Sequence, residues 1–158
     1  MESKAVKPAS VLWWIITVAW AAQIFFLSTH GFSPHFTGRL LALALDLLHI
    51  HVSPRTFGLL HGALRKLAHV VEYAIFALLL YGHPSGRGLE SWRPRRAVVC
   101  VAIAAAYSLT DEFHQWFVPG RHASLRDCGL DTIGASLAML VPYARERVSH
   151  LRSHRKHS

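Results

Sequence analysis

The sequence is poor in charged residues and in cysteine, and each shortage excludes some classes of protein. Charged residues make up 16% of the 158 positions, and hydrophobic residues make up 52%. A disordered chain, a collagen and a coiled coil all require a more polar or more repetitive composition, so these classes are excluded. The two cysteines, Cys100 and Cys128, are too few for a small disulfide scaffold.

Common catalytic and nucleotide-binding motifs are missing as well. The chain has no Gly-rich phosphate loop, no G-x-S-x-G turn, no H-E-x-x-H motif, no internal repeat and no strand pattern. The formal net charge of +8 would fit a nucleic-acid-binding protein, but the positive residues lie between apolar runs. Basic loops in that position favour anionic lipid headgroups. We therefore expect membrane lipids as partners and no nucleic acid.

Long apolar runs predict an all-α fold, an integral membrane bundle of four transmembrane helices plus a short amphipathic interfacial helix. The first run, from Val11 to Leu27, rises about 25 Å as a helix, which suffices to cross the hydrocarbon core. A signal peptide cleaved near Ala21 is the alternative, but the apolar run continues past that position. The predicted spans are residues 11–27, 64–81, 97–117 and 124–143.

Residues 39–51 are predicted to form the amphipathic helix, which is too short to span the membrane comfortably and lies at the interface. Arg39, Asp46 and His49 fall on one side of this helix, and leucines fill much of the rest. A full span that buries Asp46 is the alternative. Pro54 and its neighbours are interpreted as the end of the helix.

The distribution of Lys and Arg predicts the orientation, since cytoplasmic loops of membrane proteins are enriched in these residues. With both termini inside, most of the 17 Lys and Arg residues fall on inner segments. Residues 1–10 then form a cytoplasmic N-terminus, residues 11–143 form the membrane domain, and residues 144–158 form a basic cytoplasmic tail. The histidines of that tail are interpreted as part of a solvated, frayed end and not as a metal site.

This orientation brings the ionisable residues of three predicted spans to one depth, near the outer surface. On each span they fall within a single helical face. Charges at bilayer depth must face a partner or water, so we expect these faces to converge on one outward-facing pocket. The predicted ligand-binding residues are Lys66, His69, Glu72, Tyr73, Asp111, Glu112, Gln115, Arg121, Ser124, Asp127 and Asp131.

Three interpretations of this set of residues stay open. It forms a buried ion-pair network that only fixes helix register, or it serves a ligand, because carboxylates outnumber the nearby cations. A divalent cation is a further alternative, because His69 and Glu72, like Asp111 and His114, stand one helical turn apart. No metal ligand is assigned. If the site is catalytic, its candidate acid–base residues are Glu72, Asp111 and Glu112.

Three segments resemble the VanZ-like family of small multi-span bacterial membrane proteins. Residues 65–73 match its RKxxHxxEY pattern, residues 111–121 match DExxQxFxPGR, and residues 124–134 match SxxDxxxNxxG with Asp131 in place of the usual Asn. A second glycine that is usual in the family is Ala138 here. The resemblance implies a multi-pass protein of the bacterial envelope, similar to an accessory protein of resistance to the glycopeptide antibiotic teicoplanin.

These observations together predict a protein of the bacterial inner membrane with both termini inside. Its outward-facing polar pocket would bind a cell-envelope molecule or an amphiphilic antibiotic. One alternative is an enzyme that acts on a lipid-linked envelope substrate by carboxylate acid–base chemistry, with or without a metal. Another is a proton-coupled transporter, since acidic residues inside a membrane can relay protons.

Overall fold

A computed structural model describes residues 8–28, 34–83, 92–117 and 124–155, and all regular structure in these ranges is helical. This confirms the all-α class for the described part of the chain. The helices are α1 (Pro8–Ser28), α2 (Pro34–Leu47), α3 (Pro54–Gly82), α4 (Pro94–Gln115), α5 (Leu125–Ala138) and α6 (Leu140–Arg155).

Two helices in the described ranges are long and apolar enough to cross a membrane, Ala9–Ser28 in α1 and Pro94–Gln115 in α4. Helix α3 is long enough, but any 18-residue stretch of it contains at least three charged residues: Arg65 and Lys66 together with Arg55 or Glu72. Helix α5 has only 14 residues. The bundle of four spans therefore stays a prediction.

Many large apolar side chains point outward from the helices, as expected where lipid surrounds a protein.

Helix α3 begins at Pro54, ten residues before the predicted second span, and the interpretation of this position as a helix end was wrong. Ser53 caps the helix, because its hydroxyl accepts a hydrogen bond of 3.2 Å from the Thr56 backbone N–H. Proline suits the first helical position, where its missing N–H costs nothing. Helix α2, which corresponds to the predicted amphipathic helix 39–51, begins and ends earlier than predicted, at Pro34 and Leu47, and His49 takes the left-handed conformation common after a helix.

The predicted fourth span is interrupted at Met139, between α5 and α6. Pro142 explains the interruption, since it has no N–H to donate to the carbonyl four residues earlier, that of Ala138. Beyond it the chain is helical again as far as Arg155. The prediction of a frayed tail from residue 144 was therefore wrong for the described residues, because the helix continues through most of that segment.

Helices α1 and α3 run antiparallel, and two tryptophans fix their register. The indole N–H of Trp13 donates to the Leu79 carbonyl at 2.7 Å, and that of Trp20 donates to the Glu72 carbonyl at 3.0 Å. The two donors and the two acceptors are seven residues apart in opposite directions along the chain. The end of α1 therefore lies beside the first half of α3.

Helices α4 and α5 continue the antiparallel order. The backbone N–H of Arg93, at the start of α4, donates to the Tyr81 hydroxyl near the end of α3 at 2.8 Å. The backbone N–H of Ser124, at the start of α5, donates to Glu112 near the end of α4 at 2.6 Å. One end of the bundle therefore joins the end of α1, the first half of α3, the end of α4 and the start of α5.

The closest helix contact in the described core is between α3 and α5. A Cβ atom added at Gly134 would overlap the carbonyl oxygen of Val70. Only glycine permits this approach, and small residues are the usual means of close helix packing in membranes. The buried side chains around the contact include Tyr73, Ala77 and Ala135. The contact holds the polar faces of α3 and α5 against each other.

Candidate functional site

Asp131 lies at the centre of the polar residues. Its side chain is 2% exposed, and its Oδ2 accepts a hydrogen bond of 2.6 Å from the Ser108 hydroxyl of α4. Tyr73 of α3 is fully buried and close enough to interact electrostatically with Asp131. Neither Asp131 Oδ1 nor the Tyr73 hydroxyl has a hydrogen-bond partner among the described residues. Each of these two buried polar atoms therefore has capacity for another group.

Asp111 connects α4 to α1. Its Oδ2 accepts hydrogen bonds from the Ser28 hydroxyl at 2.7 Å and from the Gln115 side-chain amide at 3.0 Å. All three side chains are buried. Ser28 lies one residue beyond the predicted first span, 11–27, and was not among the predicted site residues. The available signal was its position directly after the first apolar run, at the depth predicted for Asp111.

Glu112 joins α4 to α5. Its Oε2 accepts the hydrogen bond from the Ser124 backbone N–H described above, and its side chain is buried. Ser124 therefore meets Glu112 through its main chain. This contact ties the start of α5 to the end of α4, and it gives Glu112 a structural role beside any role in binding.

Lys66 and Asp127 form the most exposed part of the site. The Lys66 ammonium lies 3.1 Å from Asp127 Oδ1, without the angles of a hydrogen bond, and the side chains are 57% and 33% exposed. The pair joins α3 to α5 at the end of the bundle. It is the one ion pair between a lysine or arginine and a carboxylate among the described residues.

Glu72 is half-buried on α3, within electrostatic range of Asp111 and Asp131. The structure thus brings together residues from α1, α3, α4 and α5, which we call the polar cluster. Its members are Ser28, Lys66, Glu72, Tyr73, Ser108, Asp111, Glu112, Gln115, Ser124, Asp127 and Asp131. His69 lies on the same helix one turn before Glu72 and is also half-buried.

Two further residues named in the sequence analysis are not among these members. Arg121 falls outside the described residues, so its predicted place over the site stays a prediction. His114 packs against Phe25 with 4.5 Å between ring centroids. Across the described ranges, no group of three or more His, Cys, Asp or Glu side chains is arranged to hold a metal ion. The described residues therefore offer no such ligand set for the divalent cation considered above.

The charge of the polar cluster is strongly unequal. Among the described residues of the cluster, Glu72, Asp111, Glu112, Asp127 and Asp131 supply five carboxyl groups, and Lys66 is the only lysine or arginine. Serine, glutamine and backbone donors satisfy several of the carboxyl oxygens. Such a set of acceptors is suited to a group that brings hydrogen-bond donors or positive charge.

Comparison with known families gives a match over most of the chain. The sequence model of the VanZ/LLP1 family matches residues 13–145. Comparison with the curated proteins and with the solved structures found no significant match. The two apolar helices indicate a membrane protein, in agreement with the family. The match includes every described residue of the polar cluster, and the chain belongs to the VanZ/LLP1 family.

Proposed function

We propose that the protein binds the polar head of an amphiphilic molecule, either a cell-envelope molecule or an amphiphilic antibiotic, in the polar cluster. The observation that carries this proposal is Asp131, a nearly fully buried carboxyl group with one oxygen unsatisfied by the described residues. Buried polar atoms in native proteins are nearly always hydrogen-bonded, so an unsatisfied one requires an explanation. A ligand that donates a hydrogen bond to Asp131 supplies one.

The excess of carboxyl groups defines the chemistry of the head. Within the described part of the cluster, an additional anion would meet five carboxyl groups and one ammonium group that is already paired with Asp127. An amine, an amide or a hydroxyl group meets acceptors instead. We therefore propose a head that carries amino, amide or hydroxyl donors. The hydroxyl of Tyr73, beside Asp131, would contact the same group.

The exposed pair of Lys66 and Asp127 marks the entrance. Its side chains lie at the edge of the cluster, whereas Asp111 and Asp131 are buried behind them. Large apolar side chains cover the outer faces of the neighbouring helices, including Leu67 and Val71 of α3 and Leu125 of α5. An amphiphile would place its head between Lys66 and Asp131 and its apolar part along these faces.

The proposed location is the bacterial inner membrane, in several spans, with both termini inside and the polar cluster near the outer surface. The antiparallel order of α1, α3, α4 and α5 supports this orientation. It places the cluster at one end of the bundle and the arginine-rich start of α4 at the other. Positive residues favour the cytoplasmic side.

Asp131→Asn tests the proposal, with Asp46→Asn as its control. Asp46 is an exposed acid on α2, outside the cluster. The full chain is purified from bacterial membranes in mild detergent, and the bound amphiphiles are extracted and identified by mass spectrometry. We expect one amphiphile class that bears donor groups to accompany the wild type and the control, and to be lost from Asp131→Asn.

Equal amphiphile content in all three proteins would contradict the proposal. Two further measurements on the purified protein separate the alternatives. A chemically altered form of an added lipid-linked substrate would support the enzyme. Acidification of the interior of vesicles that contain the protein, dependent on substrate, would support the transporter. The described acids do not extend along the whole bundle, which gives the transporter less support than binding.

A further inference from the structure

The end of the bundle opposite the polar cluster carries a groove of about 550 Å³ at the start of α4, lined by Trp92, Arg93, Pro94, Arg95 and Arg96. We call it the arginine groove. Three of its five residues are arginines. Arg93 and Arg95 are exposed. Neither forms an ion pair with a described residue.

The wall of the arginine groove is held in place by neighbouring groups. The Arg96 guanidinium donates to the His83 carbonyl at 2.8 Å and lies over the Tyr81 ring, 5.1 Å from its centroid. Tyr81 stacks on Trp92 with 6.1 Å between centroids. The Tyr81 hydroxyl also accepts from the Arg93 backbone. Because these contacts fix Arg96 and Trp92, the groove exists without a ligand to order it.

Positive charge dominates this end of the molecule. Arg145, Arg147 and Arg152 of α6 add to the arginines of the groove, and Arg147 lies 6.0 Å from the centre of the Tyr143 ring, which itself packs on Trp92. Glu146 is the single acid of α6, and it faces His150 at 3.9 Å. The charge of this surface is therefore complementary to an anionic partner.

Apolar surface continues directly from the arginines. Val98 and Val99, on the next turn of α4, are 68% and 55% exposed. Helix α4 is one of the two described helices that are long and apolar enough to cross a membrane. A partner seated in the groove thus meets guanidinium groups at one level and apolar side chains immediately below, together with an indole typical of the interface.

We propose that the arginine groove binds the phosphate headgroup of an anionic phospholipid, whose acyl chains lie along Val98 and Val99. Guanidinium groups match phosphate oxygens in charge and geometry. Free phosphate would use the arginines but leave the apolar turn without a partner. The groove is at the opposite end from the polar cluster, so this proposal is independent of the proposed function.

The test measures binding of phosphatidylglycerol, phosphatidylcholine and inorganic phosphate to the full chain in detergent by native mass spectrometry. We expect the wild type to bind phosphatidylglycerol in preference to phosphatidylcholine. The double variant Arg93→Gln/Arg95→Gln should bind phosphatidylglycerol at least roughly tenfold more weakly, since each arginine near an anionic surface contributes about fivefold. Arg93→Lys/Arg95→Lys should keep most of the affinity.

The control is Arg55→Gln/Arg126→Gln, which removes two exposed arginines near the other end of the bundle. It should bind phosphatidylglycerol like the wild type. Equal losses of phosphatidylglycerol affinity in both double variants would mean that overall charge sets the affinity. That result would contradict a specific binding site in the arginine groove. Equal binding of phosphatidylcholine, or displacement of the lipid by millimolar inorganic phosphate, would overturn the phospholipid as the ligand.

Discussion

The two ends of the bundle hold their charges in opposite ways. At one end, Asp111, Glu112 and Asp131 are buried between helices and bonded to serine, glutamine and backbone donors. At the other end, Arg93 and Arg95 stand exposed on the surface. A buried charge must be compensated inside the protein, whereas an exposed one is compensated by its surroundings. The acids therefore determine helix packing, and the exposed arginines are available to the membrane.

The largest expected effect on stability comes from the contact between α3 and α5 at Gly134, which brings the buried acids together. Gly134→Ala places a methyl group onto the Val70 carbonyl oxygen, a backbone atom that has no rotamer to change. The two helices must separate, which should lower stability by about 1–3 kcal/mol or prevent folding. Thermal unfolding in detergent measures the effect.

Gly129→Ala is the matched control for this contact. It lies on the same helix and has nothing within 4 Å of an added Cβ. Alanine should be neutral or stabilising there, because it favours the helix. Equal melting temperatures for the two variants would show that α3 and α5 do not approach as described.

The next prediction compares the loss of stability caused by one substitution at each end of the bundle. Asp111→Ala removes the acceptor from two buried donors, Ser28 and Gln115, and should cost about 1–3 kcal/mol. Arg95→Ala removes an exposed charge and should change stability by less than about 0.5 kcal/mol. Chemical or thermal unfolding in a zwitterionic detergent measures both. A larger loss for Arg95→Ala would reverse the comparison on which this account rests.

The smallest effect on stability is expected at the entrance to the polar cluster. Lys66 is 57% exposed and pairs with a partly exposed Asp127. Such a pair contributes about 0–1 kcal/mol, so Lys66→Met should unfold at nearly the wild-type temperature. Amphiphile binding should nevertheless fall, because methionine cannot donate a hydrogen bond to the hydroxyl or amide oxygen of a head that lies between residue 66 and Asp131. Normal amphiphile binding by Lys66→Met would show that Lys66 is not part of the binding site.

The sequence predicted the parts of the fold that depend on local pattern. Apolar runs predicted helices in the regions where the structure has α1, α3, α4 and α5, and helical phase placed Glu72, Asp111 and Asp131 on faces that the structure brings together. These predictions succeeded because a membrane leaves few ways to bury a charge other than against another helix.

The parts that sequence reasoning missed depend on context. The Ser53-Pro54 pair is equally compatible with the end of one helix and the start of the next, and only the capping hydrogen bond decides between them. Pro142 interrupts a run that composition alone would continue. The role of Ser28 depends on Asp111, a residue 83 positions away in the chain. No local pattern encodes such a pairing.

The most direct test of the central claim, that the polar cluster serves a ligand, compares two tyrosine hydroxyls. The Tyr107 hydroxyl donates to the Ala21 carbonyl at 2.7 Å, whereas that of Tyr73 has no hydrogen-bond partner among the described residues. We predict that Tyr107→Phe loses about 1 kcal/mol of stability and keeps its bound amphiphile. Tyr73→Phe should keep its stability and lose the amphiphile. A Tyr73→Phe protein that is destabilised but still binds would contradict the account and identify the cluster as a scaffold.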